Sequence, residues 1–522
     1  MNIIARKSGR WVLLLGLTLG LAQPAGSQSA LPGLGHAEGI SLGAERQLGD
    51  RIARELYRDP DYFEDPVLDE YLHRLWDPLV QAAVRRGELT PELRERFAWR
   101  IMIGRDRSIN AFALPGGYLG VHLGLIAAVG SDDELASVLA HELSHVTQRH
   151  IARSMDDQAR MTPWLIGSMI LGALAASKSA QGAQALIVGG QAAVLHQPLS
   201  YSRDMEREAD RIGYGVLVEA GYDPRGFAGM FGRLQQASAL NDSGSFPYLR
   251  SHPLTTERIA DMQARQSLQT PGAAPAPALV QSLMAVRARV LALQGVDSLR
   301  AWAVEPGAEL RTQKVEWAAR LYAAALAQLQ LREPALALRH VQQLQGLVAD
   351  DPAAARLVRL LHAEVMSRQG RHEAASHAVL ASPLPPVWPR PELIAIAQAL
   401  AQLPGHALLE ETQSQLRALL LRDAGDAQAW QVLAQVHRAR GQALAALRAE
   451  GEAQVARMDD SGAIDRFRAA QDLARKGPLQ PGDHIEASIV DSRLREAQAR
   501  VRAFLEQQRG GARLALDPGV RQ

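Results

Sequence analysis

The sequence predicts a mostly α-helical chain in two parts: an α-rich domain holding one small β-sheet, then an α-helical repeat solenoid. Three observations predict it. Apolar residues recur at three- and four-residue spacing along most of the chain, which is the period of an amphipathic helix. β-type runs are confined to 97–126, where Pro115, Gly116 and Gly117 break them into short pieces. QTPGAAPAPA (269–278) is a Pro/Ala/Gly linker that divides the chain, and 522 residues are too many for one ordinary domain.

Composition narrows the chemistry. The 57 basic and 56 acidic side chains nearly cancel, so no net field draws in nucleic acid or an anionic membrane. With no cysteine, thiol catalysis, cysteine-ligated zinc, disulfides and a lipid-modified cysteine anchor are excluded. Any metal must be held by His, Asp or Glu.

The first 27 residues read as a secretory signal. Arg6, Lys7 and Arg10 form a basic start, 11–22 is apolar, and AQPAGSQSA follows with small residues suited to cleavage after Ser27. The apolar core is short against the roughly 20 residues that span a bilayer. Export without cysteines fits the bacterial periplasm.

The first domain is expected over 28–268. GAERQLGDRIARELYRD (43–59) and PVLDEYLHRLWDPLVQAA (66–83) read as helices, FAWRIMI (97–103) as a strand, and INAFALPGGYLGVHLGLI (109–126) as short β-type runs. Ser131 and Asp132 then supply an N-cap before a long helix. Within 161–195, two apolar runs of about 13 residues flank SKSAQG, each too short to cross a bilayer. They fit a packed helical pair or a surface that touches membrane or a hydrophobic partner.

Residues 279–507 are expected to form the repeat domain, with 508–522 as a tail. Gly451, Ala463, Phe467 and Ala470 have the spacing of the small and aromatic positions of a tetratricopeptide repeat. GRHEAA (370–375) fits the turn of another copy. Trp430, Leu433, Gly441 and Ala446 fit a third, overlapping register, and SPLPPVWPRP (382–391) is a strong break.

HELSHVTQRH (141–150) carries the chemistry. His141, Glu142 and His145 spell H-E-x-x-H. An α-helix turns about 100° per residue, so the two histidines lie one turn apart on one face and reach a single zinc. Zinc lowers the pKa of a bound water toward about 7, and Glu142 beside it is placed to act as general base. The motif fails the metzincin pattern, because Gln148 and Ile151 stand where a Gly and a His are required. If the helix continues, His150 points to its far side, as a polar bystander. The third ligand is sought in SYSRDMEREADRIGYGVL (200–217), where Glu206 and Asp210 share a helix face. Glu206 would bind zinc and Asp210 would orient a ligating histidine. The competing reading is an exposed helix whose carboxylates pair with Arg203, Arg207 and Arg211. His252, held before Pro253, either approaches the metal, donates to a developing oxyanion, or merely caps the next helix.

Together these motifs resemble the zinc metallopeptidases that include the CAAX prenyl proteases and soluble bacterial relatives, over roughly residues 38–265. HELSH matches the metal helix and EREAD (206–210) the E-x-x-A-D element. Asn110, Ala111 and Phe112 match the N-A-F/Y segment before a substrate-flanking edge strand, and SHPLTTERI (251–259) an H-P-x-x-x-x-R element that puts His252 and Arg258 near the site. The resemblance implies a Glu-ligated zincin (gluzincin) with one Zn2+ held by His141, His145 and Glu206. Relatives with the same order of signal, protease domain, linker and tetratricopeptide repeats imply a periplasmic protease. Its substrates would be unfolded or misassembled outer-membrane β-barrel proteins, and it would work near their assembly machinery. A chaperone or adaptor acting through the repeats is the alternative.

Overall fold

The helical periods become twenty-two helices and one four-stranded sheet among the described residues of the computed structural model, which are 40–157, 201–240, 247–267, 278–305, 307, 310, 312–477 and 480–516. The expected signal (1–27), the apolar runs of 161–195 and the linker up to 277 lie outside the described residues.

Helix α1 (Leu42–Arg58) starts where Ser41 Oγ accepts the Ala44 N–H at 3.2 Å. After the short strand β1 (Tyr62–Phe63), Asp65 caps α2 (Pro66–Arg85). This helix buries Leu68, Leu72, Leu75 and Leu79, a stripe at three- and four-residue spacing. Then come α3 (Pro91–Arg96), β2 (Arg100–Gly104), β3 (Ala111–Leu114) and β4 (Tyr118–His122). The expected β-type stretch ends there. Leu123 to Ala128 form helix α4 instead, because Leu123, Leu125 and Ile126 reach the core as one helical turn.

The sheet order is β1-β2-β4-β3. β2 and β4 run parallel, with β1 and β3 antiparallel on the two edges. The outer edge of β3 therefore has no strand partner among the described residues. Helix α5 (Asp132–Thr147) packs against β3. Ser131 caps it by accepting the Glu134 N–H at 3.1 Å, and every residue from Leu135 to Thr147 is buried. Next are α6 (His150–Asp157), α7 (Arg203–Glu219), α8 (Arg225–Leu240), α9 (Pro247–Ser251) and α10 (Thr256–Ser267). Helix α7 lies along α5, and Gly213 permits the close approach: a Cβ there would meet the Ala140 carbonyl oxygen at 3.1 Å.

The rest is a chain of helices: α11 (Leu279–Leu291), α12 (Val296–Ala303), α13 (Lys314–Gln330), α14 (Pro334–Leu347), α15 (Pro352–Arg368), α16 (His372–Leu380), α17 (Arg390–Leu400), α18 (Leu409–Arg422), α19 (Ala427–Ala439), α20 (Ala443–Ala456), α21 (Asp460–Lys476) and α22 (Asp483–Leu516); α11 and α12 both pack on α13, and from α13 onward each packs on the next in sequence. Such neighbour-to-neighbour packing is that of a helical solenoid. Gly451, Ala463, Phe467 and Ala470 meet at one helix crossing, where a Cβ on Gly451 would overlap the Phe467 ring. The solenoid folds back on the first domain, with α11 against α4 and α17 against α2. One hydrophobic core runs through both.

Candidate metal centre

Helix α5 presents His141 and His145 one turn apart, with their Nε2 atoms 3.0 Å from each other. Helix α7 presents Glu206 and Asp210 one turn apart on the facing side, both about 1% exposed. The turn between α9 and α10 adds His252, whose N–H donates to the Tyr248 carbonyl at 2.8 Å. Its Nδ1 lies 3.3 Å from His141 Nε2 and 2.9 Å from Glu206 Oε1. From α10, Arg258 donates to both Asp210 oxygens at 2.6 and 2.8 Å and pairs with Glu206 Oε2 at 2.6 Å. Asp210 Oδ1 lies 3.0 Å from His141 Nδ1. The exposed-helix reading of 203–217 thus fails for Glu206 and Asp210. It holds for Arg207, which pairs on the surface with Asp204 and with Glu257.

The donor set fits a tetrahedral ion. Four donors at the roughly 2.0–2.1 Å typical of zinc to His or carboxylate stand about 3.3 Å apart. Here His141 Nε2 lies 3.0 Å from His145 Nε2, 3.3 Å from His252 Nδ1 and 3.6 Å from Glu206 Oε2, and Glu206 Oε1 lies 2.9 Å from His252 Nδ1 and 3.5 Å from His145 Nε2. All four side chains are buried. The charge fits as well. Arg258 is paired with Glu206 and Asp210 and no guanidinium is paired with Glu142, so among the described residues the three carboxylates outnumber their fixed cations. Nitrogen and carboxylate donors without sulfur suit a divalent ion of the zinc type.

Electrostatics follow from burial. Glu142 is fully buried and its carboxyl pKa is pushed up by lost solvation. Burial pushes His145 well below its ordinary value, which keeps the imidazole neutral and fit to ligate. Burial also opposes charge on Glu206, but His252, His141 and Arg258 together outweigh it and hold the carboxyl below the usual range. The same contest at Asp210, decided by the Arg258 hydrogen bonds, holds its pKa at about 2. Burial opposes a proton on His252, yet Glu142 and Glu206 raise its pKa.

Glu142 Oε2 accepts the N–H of Ala113 in edge strand β3 at 2.9 Å. Its Oε1 has no hydrogen-bond partner among the described residues, with His252 Nε2 3.5 Å away. Asn110 is buried just before β3 and accepts the His122 N–H through its carbonyl. Ala111 pairs with Val121, and the Phe112 ring stands edge-on to His122 at 5.7 Å. Ala111 and Phe112 thus lie on the strand whose Ala113 N–H meets the Glu142 carboxylate, and Asn110 directly precedes it.

The expectation for His150 is corrected. Helix α5 does not continue: it ends at Thr147, and Arg149 takes a left-handed φ of 52°. Arg149 is held there by Glu45 Oε2 at 2.8 Å and the Ile40 carbonyl at 2.5 Å. The break swings His150 back over the site. It is fully buried, with its Nδ1 2.8 Å from His145 Nδ1, and its pKa is lowered to about 4 by burial. Sequence reasoning also missed Glu208, which meets His150 Nε2 at 3.1 Å, and Tyr201, whose ring stacks on His145 at 3.8 Å. Neither carries a spacing signal of its own. The middle Glu of EREAD becomes visible only once α5 is known to break.

A buried histidine–carboxylate donor set on an H-E-x-x-H helix defines a metallopeptidase, and the family model described as peptidase family M48 matches residues 68–266. The chain belongs to that family. It is 31% identical to the beta-barrel assembly-enhancing protease of Escherichia coli (strain K12), over 94% of this chain and 97% of that one. It is 37% identical to a Vibrio cholerae protein provisionally given the same name, over 51% of this chain and 53% of that one. With the mitochondrial metalloendopeptidase OMA1 of Arabidopsis thaliana it shares 30% identity over 37% of this chain and 36% of that one.

Proposed function

We propose that the chain is a zinc-dependent endopeptidase that cleaves extended segments of misassembled outer-membrane β-barrel proteins. His141, His145 and Glu206 hold one Zn2+. Glu142 is the general base, and Asp210 and Arg258 fix the orientation of His141 and Glu206. Zinc held there supplies a Lewis acid and a water that ionises near neutral pH. The burial of Glu142 raises its proton affinity, which suits a group that takes a proton and passes it to a leaving amine. The open edge of β3, at Asn110, Ala111 and Phe112, receives substrate backbone as an added strand. Recognition through backbone selects unfolded chains over particular side chains. The observation that carries this reading is the convergence of four buried donors beside the Glu142 carboxylate and an edge strand.

The periplasm is the proposed location. The likeness to the Escherichia coli beta-barrel assembly-enhancing protease over nearly the whole of both chains supports the substrate class. Docking to the assembly machinery through the solenoid, as tetratricopeptide repeats do, belongs to the same proposal. No helix of the described residues is long and apolar enough to cross a membrane. Peripheral contact through 161–195 rests on sequence alone.

One observation favours a second reading, in which proteolysis is held off and the repeats act as chaperone or adaptor. His252 Nδ1 takes the fourth corner of the donor set, and a catalytic zinc site needs that corner open. On the main reading, Glu142→Gln lowers casein hydrolysis by about 10²–10⁴-fold, the range of general-base catalysis, while the protein still binds zinc. Undiminished casein hydrolysis by Glu142→Gln would sink the mechanism. On the second reading, His252→Ala raises basal hydrolysis, or Glu142→Gln still supports outer-membrane assembly.

A further inference from the structure

His141 has Asp210 at its remote nitrogen; His145 has something longer. Because Arg149 breaks the helix, His150 Nδ1 sits 2.8 Å from His145 Nδ1. His150 Nε2 sits 3.1 Å from Glu208 Oε2, and Arg153 donates to the same oxygen at 2.8 Å. Both rings are buried, at 1% and 0% exposure, so the protein itself must satisfy these nitrogens.

We propose that His150 and Glu208 form a two-step relay that sets the tautomer and tilt of His145 for metal binding. The protons fall in one consistent order. A carboxylate only accepts, so Glu208 takes the His150 Nε2–H. Neutral His150 then has a lone pair at Nδ1 and accepts the His145 Nδ1–H. With its proton on Nδ1, His145 turns the Nε2 lone pair toward His141, His252 and Glu206, where the donor set converges. Arg153 keeps Glu208 ionised and fixed in place. The three acids of EREAD thus divide the work: Glu206 toward the metal, Asp210 on His141, and Glu208 on His145 through His150. His150 is a positioning residue, since it touches neither metal nor substrate. The proposal rests on the metal-binding reading of His145 given above.

The test is zinc affinity of the full chain, measured by competition with a chromophoric chelator, with the visible spectrum of the Co2+-substituted protein as second readout. Partners of ligating histidines are worth about 10–100-fold in metal affinity, so His150→Ala is expected to weaken zinc by that factor and alter the cobalt bands. His150→Asn carries Oδ1 where Nδ1 stood and is expected to restore most of the affinity. Glu208→Ala, at a partly exposed position, is expected to weaken zinc in the same direction by a smaller factor, and it serves if His150→Ala fails to fold. Wild-type zinc affinity and cobalt spectrum in His150→Ala would overturn the relay. So would an Asn variant as weak as Ala, because packing alone would then explain the loss. A wild-type chain that binds neither ion would overturn the metallopeptidase site itself, a different result from the loss of the relay.

Discussion

The metal centre and the acidic segment EDPVLDE (64–70) both gather carboxylates where the fold limits water, but their counter-charges differ. Four arginines reach that segment from the solenoid. Arg457 meets Glu64 at 2.7 Å, Arg287 meets Asp65 at 2.7 Å, Arg390 approaches Asp69 at 3.4 Å and Arg356 meets Glu70 at 2.6 Å. They come from α11, α15, α17 and the end of α20, so one short stretch of the first domain ties four helices of the second. Each of these four carboxylates has its own guanidinium, and Arg287, Arg356 and Arg390 each bind a further carboxylate, Glu364, Glu392 and Asp426. At the candidate metal centre, Arg258 is the one guanidinium paired with Glu206 and Asp210 among the described residues, Glu142 pairs with none there, and the donors converge on one another. Carboxylates met one by one by guanidiniums from distant helices mark a fastening within the fold. Donors that converge on one another mark a binding site.

The largest effect on stability is expected at the fastening. Arg287 is 3% exposed and also donates to Tyr322 and Glu364. Its removal leaves Asp65 buried and unpaired. Breaking one side of a buried pair costs about 3–5 kcal/mol, so Arg287→Met should lower the unfolding free energy by about that much, read as a lower urea midpoint, while zinc affinity stays at the wild-type level. Asp65→Asn in the same chain should recover part of the loss. A normal urea midpoint in Arg287→Met, or lost zinc binding, would erase the distinction between the two clusters.

That fastening was not legible in the sequence, whereas most of the metal centre was. His141, Glu142 and His145 follow from helical spacing alone. Glu206 and Asp210 follow from a shared helix face, and the family motif strengthens them. Arg287 and Asp65 are 222 positions apart, and nothing local in either segment announces a partner. The close approach of Gly451 to Phe467 could be read because it lies between successive helices. His150 was misread for a related reason. Its direction depends on the left-handed Arg149, and that residue is held by Glu45 and the Ile40 carbonyl about a hundred positions earlier. Contacts within a helix or between successive helices leave a periodic trace, and a distant side chain that bends the backbone leaves none.

A middle-sized effect tests the charge at the metal centre through pH. Asp210 is held at about 2, below the roughly 3.9 of an unfolded Asp. A depressed pKa means that the folded state binds the proton more weakly, so this stabilisation is full above about pH 4 and is lost as pH falls toward 2. Its size is on the order of 2 kcal/mol. Thermal melts of the chelator-treated chain should therefore show Asp210→Asn less stable than wild type at pH 7, with the gap closing between pH 4 and 2. A gap independent of pH would mean that packing, and not the Arg258 pair, carries the effect.

The smallest effect is expected from an ion pair that also joins the two domains but lies near water. Arg100 in β2 holds both oxygens of Asp423, after α18, at 2.5 and 2.8 Å. The Asp423 hydrogen bond raises the Arg100 pKa against the cost of burial. The two side chains are nevertheless 37% and 40% exposed, and solvent screens them. Such pairs contribute roughly 0–1 kcal/mol, so Arg100→Ala should shift the urea midpoint far less than Arg287→Met. Salt separates the two further. At about 1 M ionic strength the screening length falls to about 3 Å, so the Arg100 contribution should vanish while the buried Arg287 contribution persists. Both arginines meet a carboxylate from a distant part of the chain, but Arg287 is buried and has Tyr322 and Glu364 as further partners, whereas Arg100 lies near water. Equal losses from the two substitutions would mean that the position of an arginine in the interface, rather than its distance from water, sets what it contributes.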